Sequence, residues 1–157
     1  MLAPENISLL EGGCGVIIGT VDADGAPHVS RGWGLTVVRA EPGEVRMLLD
    51  AGDTVAAANL TGNGRVAVTG GDIRTLHSIQ FKGEVTSVEI ATDDDLRRAA
   101  RYADDFFGNV HEVDGTPLDL LHGLEPTGYT ACTVRIAELY DQSPGPSAGT
   151  RLSEPAP

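Results

Sequence analysis

The sequence predicts a mainly β (α+β) domain, a small antiparallel barrel of six strands with flanking helices. Three observations carry that expectation. Six runs of strand-like residues are separated by turn-forming Gly, Pro, Asn and Asp. The helical patterns are few and do not alternate with every strand, which argues against a parallel sheet. The chain of 157 residues is 41% hydrophobic, enough for one core of ordinary size.

Pro4 to Glu11 reads as a short helix that Gly12 and Gly13 end. The stretch "CGVIIGTV" follows as a strand, "DADG" as a tight turn, and "PHVSRGWGLTVV" as the second strand. Strict alternation would aim Val29, Arg31, Trp33, Leu35 and Val37 at one face, setting a permanent charge in an apolar register. After the "EPGE" turn, "VRMLLD" is the third strand. Asp53 then caps a two-turn helix, "DTVAAANL", whose exit is the glycine-rich "TGNG".

The fourth strand is "RVAVTG" and the fifth is "LHSIQFKGEVTSV". In the fifth, His77, Ile79, Phe81 and Val85 share one face, while Ser78, Gln80, Lys82 and Glu84 form a hydrogen-bonding ladder on the other. From Thr92 an amphipathic helix places Leu96, Ala99, Ala100, Ala103 and Phe107 on its buried stripe, with its charges toward water. Residues 108–127 read as a loop holding a short helix capped by Thr116, with Pro117 at its first position. The sixth strand is "YTACTVRIAELYD". The chain divides into a barrel domain at 1–140 and a Pro/Gly-rich tail at 141–157, which wraps a surface or stays irregular.

Composition excludes several functions. A net charge of −12, from 23 acids against 11 bases, repels polyanions, so no nucleic-acid partner is expected. Lys82 is the sole lysine, so an anion site must lean on arginine, amides or hydroxyls. No run approaches the roughly 20 apolar residues of a membrane span and no signal peptide is evident, so a cytoplasmic protein with no membrane partner is expected. Cys14 and Cys132 lack metal or CxxC spacing and read as buried thiols, and no metal site is expected. The GxxxxGK motif is missing, which excludes a P-loop. His28 and His77 have no acid or second ligand at useful spacing and read as structural.

The succession "GTVDADGAPHVSRGWG", "DTVAAANLTGNGRVAVTG" and "IQFKGEV" resembles the FMN-binding split-barrel family typified by pyridoxamine 5′-phosphate oxidase, over about residues 8–90. The resemblance implies a homodimer of six-stranded split barrels with FMN at the subunit seam. It implies that Arg31 grips the phosphate together with Thr54 and the helix amides, and that Ser78 and Gln80 face the ring and ribityl chain. Lys82 extends that ladder, and Trp33 stands as an interface or stacking group. Val55 and Ala56 replace an Arg-Lys pair of the oxidases, and Thr36 replaces a lysine, so pyridoxamine phosphate itself is not the expected substrate. The expected function is an FMN-dependent oxidoreductase acting on a small molecule, with no catalytic residue assigned. The alternatives are a split barrel that takes a deazaflavin, haem or another tetrapyrrole, and a non-catalytic dimeric module. Arg31 could instead pair with an interface carboxylate.

Overall fold

The computed structural model describes residues 2–152. Six antiparallel strands close a barrel in the order β1-β2-β3-β6-β5-β4. They are β1 (Gly15–Val21), β2 (Pro27–Arg39), β3 (Glu44–Asp50), β4 (Arg65–Gly71), β5 (Ser78–Ile90) and β6 (Tyr129–Asp141). Four helices flank them: α1 (Pro4–Glu11), α2 (Thr54–Gly62), α3 (Asp93–Asp114) and α4 (Leu118–His122). Val16, Ile18, Val45, Met47, Leu49, Val68, Ile79, Phe81 and Val134 fill the interior and are fully buried. The predicted fold class is the observed one.

The register corrects one expectation. Gly32 pairs with Leu49 and Leu35 pairs with Met47, so β2 carries one residue more than β3 over this interval. That bulge, at Trp33 and Gly34, turns Leu35 to the barrel interior while Arg31 and Trp33 stay outside. Leu35 and Val37 therefore do not share a face with Val29 and Arg31. Two glycines make the crossover possible. A Cβ on Gly32 would stand 2.3 Å from Val16 Cγ1, and Gly34 has φ +115°.

Helix α3 differs from its predicted stripe in two ways. It runs for 22 residues, so the segment 108–114 expected as loop is helix, and Gly115 in the left-handed region ends it. Its buried stripe is Asp95, Ala99, Tyr102, Ala103, Phe106 and Phe107, whereas Leu96 and Ala100 lie exposed. Tyr102, Phe106 and Phe107 bring more apolar area to the barrel than Leu96 could, and their spacing rotates the helix. One acid of the first turn is buried rather than solvated: Asp95 closes a capping box with Thr92 and receives Arg46 in two bonds of 2.9 and 2.7 Å and Arg98 in one of 2.8 Å. The cap of α4 is Pro117, not Thr116, whose hydroxyl bonds Asp114.

The tail folds back along β6. Asp141 and Thr150 pair, Leu152 donates to the Leu139 carbonyl, and Tyr140 forms a bridge with Arg151. Residues 153–157 of the predicted tail lie outside the described residues. Among those described, no helix is long and apolar enough to cross a membrane.

Candidate functional site

The strand registers fix a grid of side chains on the outer face of β2, β1, β4, β5 and β6. One cross-strand row runs Arg31, Ile17, Thr69, Gln80, Tyr140. The next row toward the β1–β2 turn runs Val29, Gly19, Ala67, Lys82, Glu138. On the other side Gly15, Gly71 and Ser78 form a third. Strands about 4.8 Å apart place Arg31 and Gln80 about 14 Å apart around the sheet. Ser78, Gln80 and Lys82 thus share the outer face, as alternation in β5 requires, and Gln80 Nε2 donates to Thr69 Oγ1 at 3.0 Å. Between the polar groups the floor is small: Gly19, Ala67 and Gly71 project little or nothing.

Arg31 sits at the edge of this grid beneath α3. Its guanidinium carbon lies 4.5 Å from the Phe106 ring centre, 4.7 Å from Trp33 and 5.8 Å from Phe107. Nε and Nη2 are buried without a hydrogen-bond acceptor among the described residues. Its charge is held by aromatic faces, a cation–π arrangement that gains strength when water is excluded. Trp33 is buried and meets Phe107 edge-on at 6.1 Å, so its ring packs α3 and is not presented to the open grid. Tyr102 donates its hydroxyl to the Cys14 carbonyl at 2.9 Å. Burial pushes that phenol up, and nearby Arg31 opposes the shift.

Thr54 opens α2 directly after its cap, Asp53. The residue before it explains the local chemistry. Asp53 accepts from the Ala56 amide at 3.0 Å, from Ser30 Oγ at 2.5 Å, and contacts His28 Nε2 at 2.9 Å. Burial raises the Asp53 carboxyl, but Ser30, the Ala56 amide and His28 outweigh it and leave it below the ordinary value. His28 and Ser30 lie on the opposite side of β2 from Arg31, because alternation separates 28 and 30 from 31. A phosphate monoester does not fit this helix start. The positive end of the helix already faces a carboxylate, and exposed Val55 and buried Ala56 supply no cation.

At the other end of the grid the structure adds residues that the sequence did not single out. Tyr140 has the Lys82 ammonium 5.2 Å from its ring centre and the Arg151 guanidinium at 5.9 Å. Its hydroxyl donates to Glu138 at 2.6 Å, which lowers the glutamate and raises the phenol. Thr69 was discoverable from the alternation of "RVAVTG", and Tyr140 from that of β6. Arg151 was not, since its place depends on the tail's return. Cys14 and Cys132 are buried free thiols, raised by burial to about 11 and about 12, respectively. Such thiols are poor nucleophiles. No cluster of three metal-binding side chains occurs among the described residues.

A closed antiparallel barrel with a polar ladder on its outer face and helices over one edge defines a split-barrel protein. The chain belongs to the pyridoxamine 5′-phosphate oxidase family, which it matches over residues 9–140. Among solved structures it is similar to HupZ of Group A Streptococcus, with TM-score 0.58 and 15% identity over 95% of this chain and 100% of that one. It is similar to a putative pyridoxamine 5′-phosphate oxidase from Lactobacillus delbrueckii, with TM-score 0.56 and 21% identity over 88% and 93%. An F420 reductase gives TM-score 0.51 and 18% identity over 87% and 98%. At these identities the likeness is one of fold. No curated protein matches the chain.

Proposed function

We propose that this chain is a small redox protein that holds a planar heterocycle of the flavin or deazaflavin class on the outer barrel face and acts on a small molecule. The observation that carries the reading is the pair Thr69 and Gln80 with Ser78 beside it: hydrogen-bonding groups along one edge of a floor of glycine and alanine. Such a floor admits a ring face-on, and the ladder offers donors and acceptors to its polar edge. A ring of this class supplies hydride transfer when bound. The chain's own groups position it: the Gln80 carboxamide, fixed by Thr69, and the Ser78 hydroxyl orient its edge, and Lys82 favours negative charge there.

FMN remains the cofactor that the resemblance implies, yet its phosphate has no receptive place at α2. The reading therefore rests on the ring. Haem is the weaker alternative, because His28 is engaged by Asp53 and His77 by Ser143. A second copy completes the site in this proposal. Ile17 is 50% exposed and Val29 66% exposed on the grid's margin, an apolar surface suited to a partner.

Titration of purified protein with riboflavin, a flavin without phosphate, tests the reading. Saturable quenching of flavin fluorescence is expected, weakened about threefold to tenfold in Gln80→Ala, the value of one neutral hydrogen bond. No quenching with riboflavin, FMN or a deazaflavin would sink it, and a Soret band on adding haemin with no flavin binding would select the tetrapyrrole reading. Light scattering is expected to return a dimer.

A further inference from the structure

We propose that the cleft beside the ladder, lined by β1, β4, β5 and β6, is a binding subsite for the anionic end of the ligand, a carboxylate or phosphate held by Arg65 and Lys82. The inference rests on the ring reading above and adds a place for charge that α2 does not provide. The cleft encloses about 530 Å³, ample for a small organic anion. Its floor is Gly19, Ala67, Gly83 and Ala137. Ala137 is the extra residue of a β6 bulge: Lys82 pairs with Glu138 but Gly83 with Ile136, so the ladder is interrupted where the cleft lies.

The charges that line it are arranged unequally. Arg65, Lys82, Glu84 and Glu138 all reach the cleft. Both acids are engaged elsewhere: Glu84 with Arg135 at 3.2 Å, and Glu138 by the Tyr140 hydroxyl at 2.6 Å. Arg65 stands directly across from Glu84, yet among the described residues its guanidinium has no ion-pair partner, and the same holds of the Lys82 ammonium. The cleft thus carries two cations beside two acids, and neither cation closes an ion pair among the described residues, although Lys82 is near enough to Glu138 to help lower its carboxyl. Both cationic side chains are long and exposed, so they close on an anion with little rearrangement. Lys82 joins the two regions, since it follows Gln80 on the same face of β5 at a spacing of about 7 Å.

Binding of riboflavin and FMN, which differ by the phosphate, is measured for the wild type, Arg65→Gln, Lys82→Gln and the double variant. FMN is expected to bind about tenfold more tightly than riboflavin, the double variant to erase that preference, and Arg65→Gln alone to reduce it while keeping riboflavin affinity within about twofold. Arg39→Gln, which removes an exposed cation on β2 outside the cleft, is expected to preserve the preference. High salt is expected to shrink it.

Equal affinity of the wild type for the two flavins overturns the anionic subsite and leaves the ring reading standing. A preference that survives the double variant overturns it as well. Amide shifts of Gly19, Ala67 and Gly83 on adding inorganic phosphate or acetate read the cleft without any flavin. Saturable shifts with either anion in the wild type, lost in the double variant, support the subsite even where no flavin binds, and the stronger of the two names its chemistry. No shift with either overturns it.

Discussion

Two arginines fasten the same helix to the same barrel by opposite chemistry. Arg46 of β3 meets the start of α3 through a carboxylate, with Asp95 only 1% exposed and Glu89 on the outer side. Arg31 of β2 meets the later turns of α3 through the rings of Phe106 and Phe107, with Trp33 of its own strand as the third face, and its Nε and Nη2 have no acceptor among the described residues. The first contact is an ionic lock whose parts must all be present. The second is a half-buried cation held against ring faces. The difference implies that the two ends of α3 respond to different perturbations, the first to loss of a carboxylate and the second to loss of ring contacts.

The largest expected effect comes from breaking the lock. Asp95→Ala leaves Arg46 and Arg98 facing each other without their shared carboxylate and is expected to cost about 3–5 kcal/mol, read from the urea midpoint at constant slope. A loss below about 1 kcal/mol would mean that water reaches the pair.

Acid sharpens the contrast. Hydrogen bonding from Arg46, opposed by burial and reinforced by Thr92 and Arg98, holds the Asp95 carboxyl well below its ordinary value. A depressed carboxyl contributes stability that is present above its unfolded value of about 3.9 and is lost as pH falls toward the folded one. Wild-type stability is therefore expected to fall more steeply below about pH 4 than that of Asp95→Asn, in paired urea titrations. Arg31 variants are expected to keep the wild-type acid slope.

The aromatic clamp is next in size. Arg31→Ala is expected to cost about 1–3 kcal/mol, nearly equal at low and high salt, and Arg31→Met to recover part of it by refilling the space between the rings. A strong salt dependence would instead reveal an anion at Nε or Nη2. The smallest effect belongs to the exposed arm of the lock: Glu89→Gln is expected to change stability by about 0–1 kcal/mol, since water screens that contact.

The element order was legible because each strand keeps its alternation over several residues, and the polar face of β5 followed from the same rule. Arg31 was visible as an anomaly, but its aromatic surroundings were not, because Phe106 and Phe107 lie some 75 residues away and the rotation of α3 depends on packing. Asp95 was hidden among three first-turn aspartates with identical local patterns. Thr54 invited a ligand role from its place at a helix start, while the occupant of that start, the Asp53 carboxylate with His28 and Ser30, needed the fold to bring β2 to α2. Which outer residues share a row depends on β1 pairing with β4 across the chain, and no local period records that.

The bulge at Trp33 and Gly34 makes β2 a strand with two reading frames in space. Before it, even positions enter the barrel; after it, odd positions do. Deleting a single residue there would merge the frames, and either Leu35 would be expelled or Arg31 forced inward among Val16, Ile18 and Met47. The same deletion in the Asp22–Ala26 turn would shorten a loop and leave both frames intact. One-residue gaps in relatives of this chain should therefore gather in that turn and avoid the bulge, so that the strand's length is inherited more strictly than its side chains.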